Sequence, residues 1–107
     1  MIKYIILFLM ISTNLLCNSD YWIGKWIALD EWQSEYEIIL HEDGKAESDY
    51  ANGEIGKWKI VDSNVEIQWD SGKRDFMFSG VMGIQKLSDN KGKKFTSGIR
   101  KKSTNKH

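Results

Sequence analysis

Turn signals punctuate this chain at short, even intervals: Asp43-Gly44, Asn52-Gly53, Asp62-Ser63-Asn64 and Asp70-Ser71-Gly72 each separate two stretches in which apolar and polar residues alternate. Alternation with a period of two puts one kind of side chain on each face of a β-strand. Asp-Gly and Asn-Gly are the dipeptides that two-residue hairpins favour, because their backbone tolerates positive φ. Tyr36, Ile38 and Leu40 alternate with Glu35, Glu37 and Ile39; Ala46, Ser48 and Tyr50 follow across the first turn. Ile55 to Val61 and then Val65, Ile67 and Trp69 make the next pair, and Phe76 and Phe78 share a face after the Asp70-Ser71-Gly72 turn. Trp22 to Leu29 supplies a first strand, Val81 to Leu87 a seventh and Lys94 to Arg100 an eighth, with Asp89 to Gly92 as the last turn.

About eight short strands in succession, with no helical apolar stripe among them, predict an all-β antiparallel meander. Proline is absent, so no strand is barred from a central position. An open sheet of this kind exposes two hydrogen-bonding edges, and closing it as a small up-and-down barrel removes them.

The first residues read differently. Lys3 precedes the apolar run Tyr4 to Ile11, and Ser12 to Ser19 turns polar before Asp20, which is the layout of a secretory signal peptide. The run is short for a membrane span, which needs about 20 apolar residues. Cleavage after Ser19 fits the small residues Cys17 and Ser19; a lipoprotein signal ending before an acylated Cys17 is the alternative, although Leu16 stands where a lipobox has its smallest residue. The expected organisation is therefore a signal over 1–19, a barrel over 20–100 and a basic disordered tail over 101–107. The expected location is extracytoplasmic, periplasmic or secreted, with lipid anchoring through Cys17 as the variant. Membrane contact is expected only through that segment or that lipid.

Residues 20–107 contain no cysteine, so no disulfide can staple the domain and the core must come from packing. Five tryptophans are the obvious material. IGKW occurs twice, at Ile23 to Trp26 and Ile55 to Trp58. In each copy the glycine precedes the ring by two residues and shares its face, which suggests that the glycine makes room for the ring. Trp26, Trp58, Trp69, Phe76 and Phe78 are the expected lining or filling of the interior, and any apolar ligand would meet them. Trp32 falls in a loop after Asp30 and Glu31, a place for a ring at the barrel mouth.

Net charge is zero but unevenly spread: Asp20 to Asp70 carries 13 acidic and 4 basic residues, and Ser71 to His107 carries 2 acidic and 10 basic. Basic strands lying beside acidic ones account for this, each exposed pair being worth ~0.2–1 kcal/mol. The other reading is a basic patch at Lys93, Lys94, Arg100, Lys101 and Lys102 that meets an anionic envelope partner. Nucleic acid is not expected as a partner.

Chemistry is sparse. His41 and His107 have no metal-ligand spacing, and no serine sits in a nucleophile elbow. The expectation is a non-enzymatic protein with no metal and no cofactor.

Gly24-Lys25-Trp26, the Tyr36 to Gly44 strand and turn, Gly56-Lys57-Trp58, Trp69 followed by Asp70-Ser71-Gly72, and Ile84 to Leu87 together resemble the small bacterial lipocalin-like domains of calycin type. The resemblance spans residues 22 to 100. It implies a barrel that binds a small apolar or amphipathic molecule, closed at one end by the first GxW. It also implies a basic residue of the final strand stacked over that tryptophan, with Arg100 in the matching place. The chain is far shorter than a full lipocalin, which leaves two interiors open: one lined for a ligand, one filled by rings. The alternative is an inhibitor-like envelope protein contacting a macromolecular or anionic partner through its loops and basic last strand.

Overall fold

The computed structural model describes residues 20–102; residues 1–19, where the signal was expected, with Cys17, and positions 103–107 lie outside the described residues. A single helical turn at Asp20 to Trp22 leads into nine strands. They are β1 (Gly24–Leu29), β2 (Glu35–Leu40), β3 (Lys45–Ser48), β4 (Glu54–Val61), β5 (Asn64–Trp69), β6 (Arg74–Gly80), β7 (Gly83–Asn90), β8 (Lys93–Gly98) and β9 (Arg100–Lys101). Every neighbour in the sheet pairs antiparallel, in the order β8-β7-β6-β5-β4-β3-β2-β1-β9. The meander is therefore a nearly closed barrel with one unsealed seam.

The seam comes from the way the last stretch of chain changes partner. β8 pairs with β7 as far as Gly98, and the Ile99 amide donates to Ile84 O at 3.2 Å. From Arg100 the chain pairs instead with β1, Ile27 opposite Arg100 and Trp26 opposite Lys101, and the Lys102 amide donates to Lys25 O at 2.8 Å. One continuous run thus ties the two sheet edges together at the end where the chain enters the barrel. Towards the other end β8 and β1 diverge, and Ser97 Oγ donating to Leu29 O at 3.3 Å bridges them. Lys101 and Lys102, expected in a disordered tail, are part of this closure.

Two boundaries differ from the sequence reading. Val81 and Met82, expected inside the seventh strand, form the β6–β7 turn and are almost completely exposed. Asp89 and Asn90, expected in a turn, extend β7, and Lys91-Gly92 alone makes the connection, with φ of 56° and 90°. Two consecutive residues at positive φ are what a type I′ hairpin requires, and an Asp89-Asn90-Lys91-Gly92 string does not show which two they are.

The core packs Trp22, Trp26, Ile38, Leu40, Trp58, Val65, Ile67, Trp69, Met77 and Ile99 with two alanines. Each tryptophan removes ~150–250 Å² from water. At about 25 cal/mol per Å², that is ~4–6 kcal/mol per ring before the entropy of ordering. Such rings take the place that disulfides hold in many small exported domains.

The two glycines of the IGKW repeat serve different ends. A Cβ on Gly56 would lie 2.3 Å from Gln68 O and 2.9 Å from Trp69 Cα, so this residue is glycine because β4 and β5 approach closely there. Gly24 has φ of 129° and its Cβ would meet only Lys101 Cε at 3.5 Å; there the constraint is the backbone conformation. The atoms nearest a Cβ at either position do not belong to the ring two residues on, for which the sequence suggested the space was kept.

Candidate functional site

Three of the four core tryptophans are fixed by indole hydrogen bonds as well as by packing. Trp26 Nε1 donates to Trp22 O at 3.0 Å, and the two rings stack 5.6 Å apart. Trp58 Nε1 donates to His41 O at 2.8 Å, and Trp69 Nε1 to Asp75 Oδ2 at 2.8 Å. A buried indole N–H left unpaired would lose ~1–3 kcal/mol, and each of these has a partner. Lys101 closes this end: its Nζ donates to Tyr21 O at 2.6 Å and lies 5.3 Å from the Tyr21 ring centre and 5.7 Å from that of Trp26. The basic residue over the first tryptophan is thus Lys101. Arg100 points outward to Glu35, at 3.2 Å.

Phe76 and Phe78, expected inside, are on the outer face and half-buried; the Arg74 guanidinium lies 5.5 Å over the Phe76 ring. Register sets this. Val65 stands opposite Met77 and Ile67 opposite Asp75, so the inward face of β5 forces Met77 and Asp75 inward on β6.

Two further basic residues meet carboxylates. Lys102 pairs with Glu37 at 2.7 Å and Lys93 approaches Glu31 at 3.9 Å, while Lys94 stands opposite Asp89 in the ladder. Only Lys94 and Asp89 are on neighbouring strands; Lys102 reaches across β1 to β2, and Lys93 reaches the β1–β2 loop.

At the opposite end the barrel opens into a cavity of about 420 Å³. It lies beside the unsealed part of the seam. Leu29, Trp32 and Phe95 form apolar parts of its wall, and Tyr36, Lys73 and Lys86 are among its polar groups. Asp30 shapes the loop above it: Oδ1 accepts from the Trp32 amide at 2.9 Å and from the Ser34 amide at 2.8 Å. That loop leaves the Trp32 ring 76% exposed at the rim.

The cavity is charged within. Lys73 Nζ lies 3.0 Å from Glu54 Oε1, an ion-pair contact whose angles fall short of a hydrogen bond, and 4.9 Å over the Tyr50 ring. Lys86 is only 1% exposed; its Nζ donates to Ser88 Oγ at 2.6 Å and lies 5.7 Å over the Tyr36 ring. Asp75 is equally buried, with Oδ2 held by Trp69 and Oδ1 without a hydrogen-bond partner. Burial pushes the Lys86 ammonium below its ordinary value; Asp75 opposes that shift and Lys73 adds to it. Burial likewise raises the Tyr36 phenol far above its ordinary value, with Asp75 and Glu54 adding to the effect, so it remains a hydrogen-bond donor at neutral pH.

A second hollow, of about 480 Å³, lies on the outer face among Lys45, Lys57, Lys59, Glu66 and Gln68. Its walls are mostly long exposed side chains. Of the sequence-derived candidates, Trp32 and Lys93 alone fall on the mouth cavity; Trp26 and Trp69 are core, and Trp58 is core with an edge on the outer hollow. Tyr36, Glu54, Lys73, Asp75 and Lys86 were missed as site residues. The signal for Lys86 was parity, since it shares a strand face with Ile84 and Ser88.

No family model matches the chain, and no curated protein or solved structure matches it.

Proposed function

We propose that this chain is an exported, non-enzymatic, lipocalin-like barrel that binds a small amphipathic molecule through its open end. The observation that carries this reading is the mouth cavity, a polar, charged hollow at one end of a barrel whose remaining interior is filled by rings. Its volume of 420 Å³ is near the lower end of the ~300–1,000 Å³ usual for ligand pockets, which suits a small ligand. The lipocalin-like reading is supported by the GxW of β1 packed at the closed end with a basic residue of the last strand over it. The ligand enters polar end first: buried polar groups at Lys86 and Tyr36 receive the head, and Leu29, Trp32 and Phe95 cover the apolar body.

The test is a titration of isotopically labelled protein, followed by amide NMR shifts, with straight-chain and phenylalkyl amphiphiles carrying positive, negative or no charge. Saturable shifts at Leu29, Trp32, Tyr36 and Phe95 with at least one of them are expected. Shifts with none, or shifts confined to the Trp22 end, contradict the reading.

A further inference from the structure

Four lysines line the cavity; Lys91 and Lys93 are exposed, and the two set deeper, Lys73 and Lys86, differ in their situations. Lys73 has a carboxylate, Glu54, at 3.0 Å. Lys86 has none: among the described residues no carboxylate oxygen lies within 4.0 Å of its Nζ, and its hydrogen bond is to the neutral Ser88 hydroxyl. A buried ammonium with one neutral acceptor keeps two N–H donors unused, and a buried charge without a counter-ion is among the more costly features a small domain can carry. The nearby Asp75 does not line the cavity; its Oδ2 is turned to Trp69 in the wall. Of the carboxylates, Glu54 faces Lys73, and Asp30 and Glu31 belong to the loop above. Asp75 is set back in the wall with its Oδ1 unpartnered but not within 4.0 Å of Lys86, which leaves the Lys86 amine as the buried cavity-lining cation without a carboxylate in contact.

We infer that Lys86 anchors a carboxylate, so that the ligand of this barrel is a small organic acid whose acid group sits at the cavity floor and whose short chain or single ring lies against Leu29, Trp32 and Phe95. The inference rests on the ligand-binding reading above and names its ligand class. Charge-assisted N–H···O bonds to a carboxylate are shorter and about twice as strong as neutral ones, and the Tyr36 phenol is a neutral donor facing the same space. The groups facing Lys86 are Asp75 from β6, Tyr36 from β2, Glu54 from β4, Lys73 from the β5–β6 loop and Ser88 on its own strand. A carboxylate arriving within ion-pair distance favours the protonated amine against the burial that disfavours it. Binding then draws a proton onto Lys86 at alkaline pH, and affinity falls as pH rises.

The experiment compares 4-phenylbutyrate, its neutral amide and 4-phenylbutylammonium by calorimetry on the same protein, with NMR reporting where each binds. The acid is expected to bind at the mouth at least about tenfold more tightly than the amide. Lys86→Gln and Lys86→Met are expected to bring the acid down to the amide and leave amide binding in place, while Lys73→Gln keeps the preference. In the unaltered protein, proton uptake on binding the acid, measured from the buffer dependence of the heat across the alkaline range, gives a readout that needs no variant. Amide or ammonium binding as tightly as the acid, or a preference that survives both Lys86 substitutions, overturns the inference and leaves the ligand-binding reading standing. A mouth that takes none of the three, nor any other amphiphile of the wider panel, overturns both.

Discussion

At the closed end of this barrel Trp22 stacks on Trp26, Lys101 lies over both Tyr21 and Trp26, and β9 binds β1. At the open end β8 has left β1, and the interior holds Lys73 with Glu54, a solitary Lys86, and Asp75 with one unpaired oxygen. The same strands run through both regions. The closed half follows the rule that small domains without disulfides live by aromatic burial. The open half breaks the rule that buried charges are paired, and natural sequences tend to break such local rules where they bind something.

Substitutions at the two ends should therefore differ most in stability. Trp26→Ala is expected to lower unfolding free energy by ~3–5 kcal/mol, measured by urea denaturation, whereas Trp32→Ala at the mouth should change it by no more than about 0.5 kcal/mol. Equal effects would break the comparison. Gly56→Val, which drives a side chain into the Gln68 carbonyl, should cost about 1–3 kcal/mol or more. Gly98→Ala is its control, because a Cβ there meets nothing within 4 Å. A Gly56 variant that melts with the parent would remove the close β4–β5 approach from the account.

At the mouth, stability and pH are linked. Lys86 binds its proton less tightly folded than unfolded, so between its lowered value and the ordinary 10.5 the unfolded chain holds more protons and stability rises with pH. Tyr36 acts in the opposite sense: its raised value makes stability fall once pH passes the ordinary 10.0 of an unfolded tyrosine. Thermal melts across the alkaline range should therefore show the Lys86 contribution as a rise that Lys86→Met abolishes. Lys86→Met should also be as stable as the parent or more so at pH 7, since it removes a buried charge. A marked loss of stability would mean that the ammonium holds the fold together and that the two ends are alike.

Much of this architecture was legible. Tyr36, Ile38 and Leu40 face inward as their alternation required, as do Val65, Ile67 and Trp69, and the Asp-Gly and Asn-Gly pairs fall in turns. The partner exchange at Ile99 was not legible, because it depends on how far around the barrel the sheet curls. The mouth was hidden for a related reason. In Arg74 to Phe78 the two phenylalanines are the apolar candidates by local pattern, but the ladder with β5 turns Asp75 and Met77 inward instead. Local alternation cannot show that the neighbour has already fixed the face. Lys86, likewise, reads as a solvated lysine until Ile84 and the approach of Ile99 are seen to turn its side of β7 into the barrel. Arg100 and Lys102 meet Glu35 and Glu37 by reaching across β1 to β2, an ion pairing of the basic end with the acidic half that the charge division foreshadowed without its geometry.

The contrast between a ring-filled interior and an open polar mouth can be read from the tryptophans themselves. Trp22, Trp26, Trp58 and Trp69 are buried and Trp32 is exposed, so acrylamide quenching of the intact protein should show one accessible emitter, and Trp32→Phe should remove it. The remaining fluorescence should be blue-shifted and nearly unquenched. Substantial quenching that persists in Trp32→Phe would place water among the core rings and contradict the division on which this account rests.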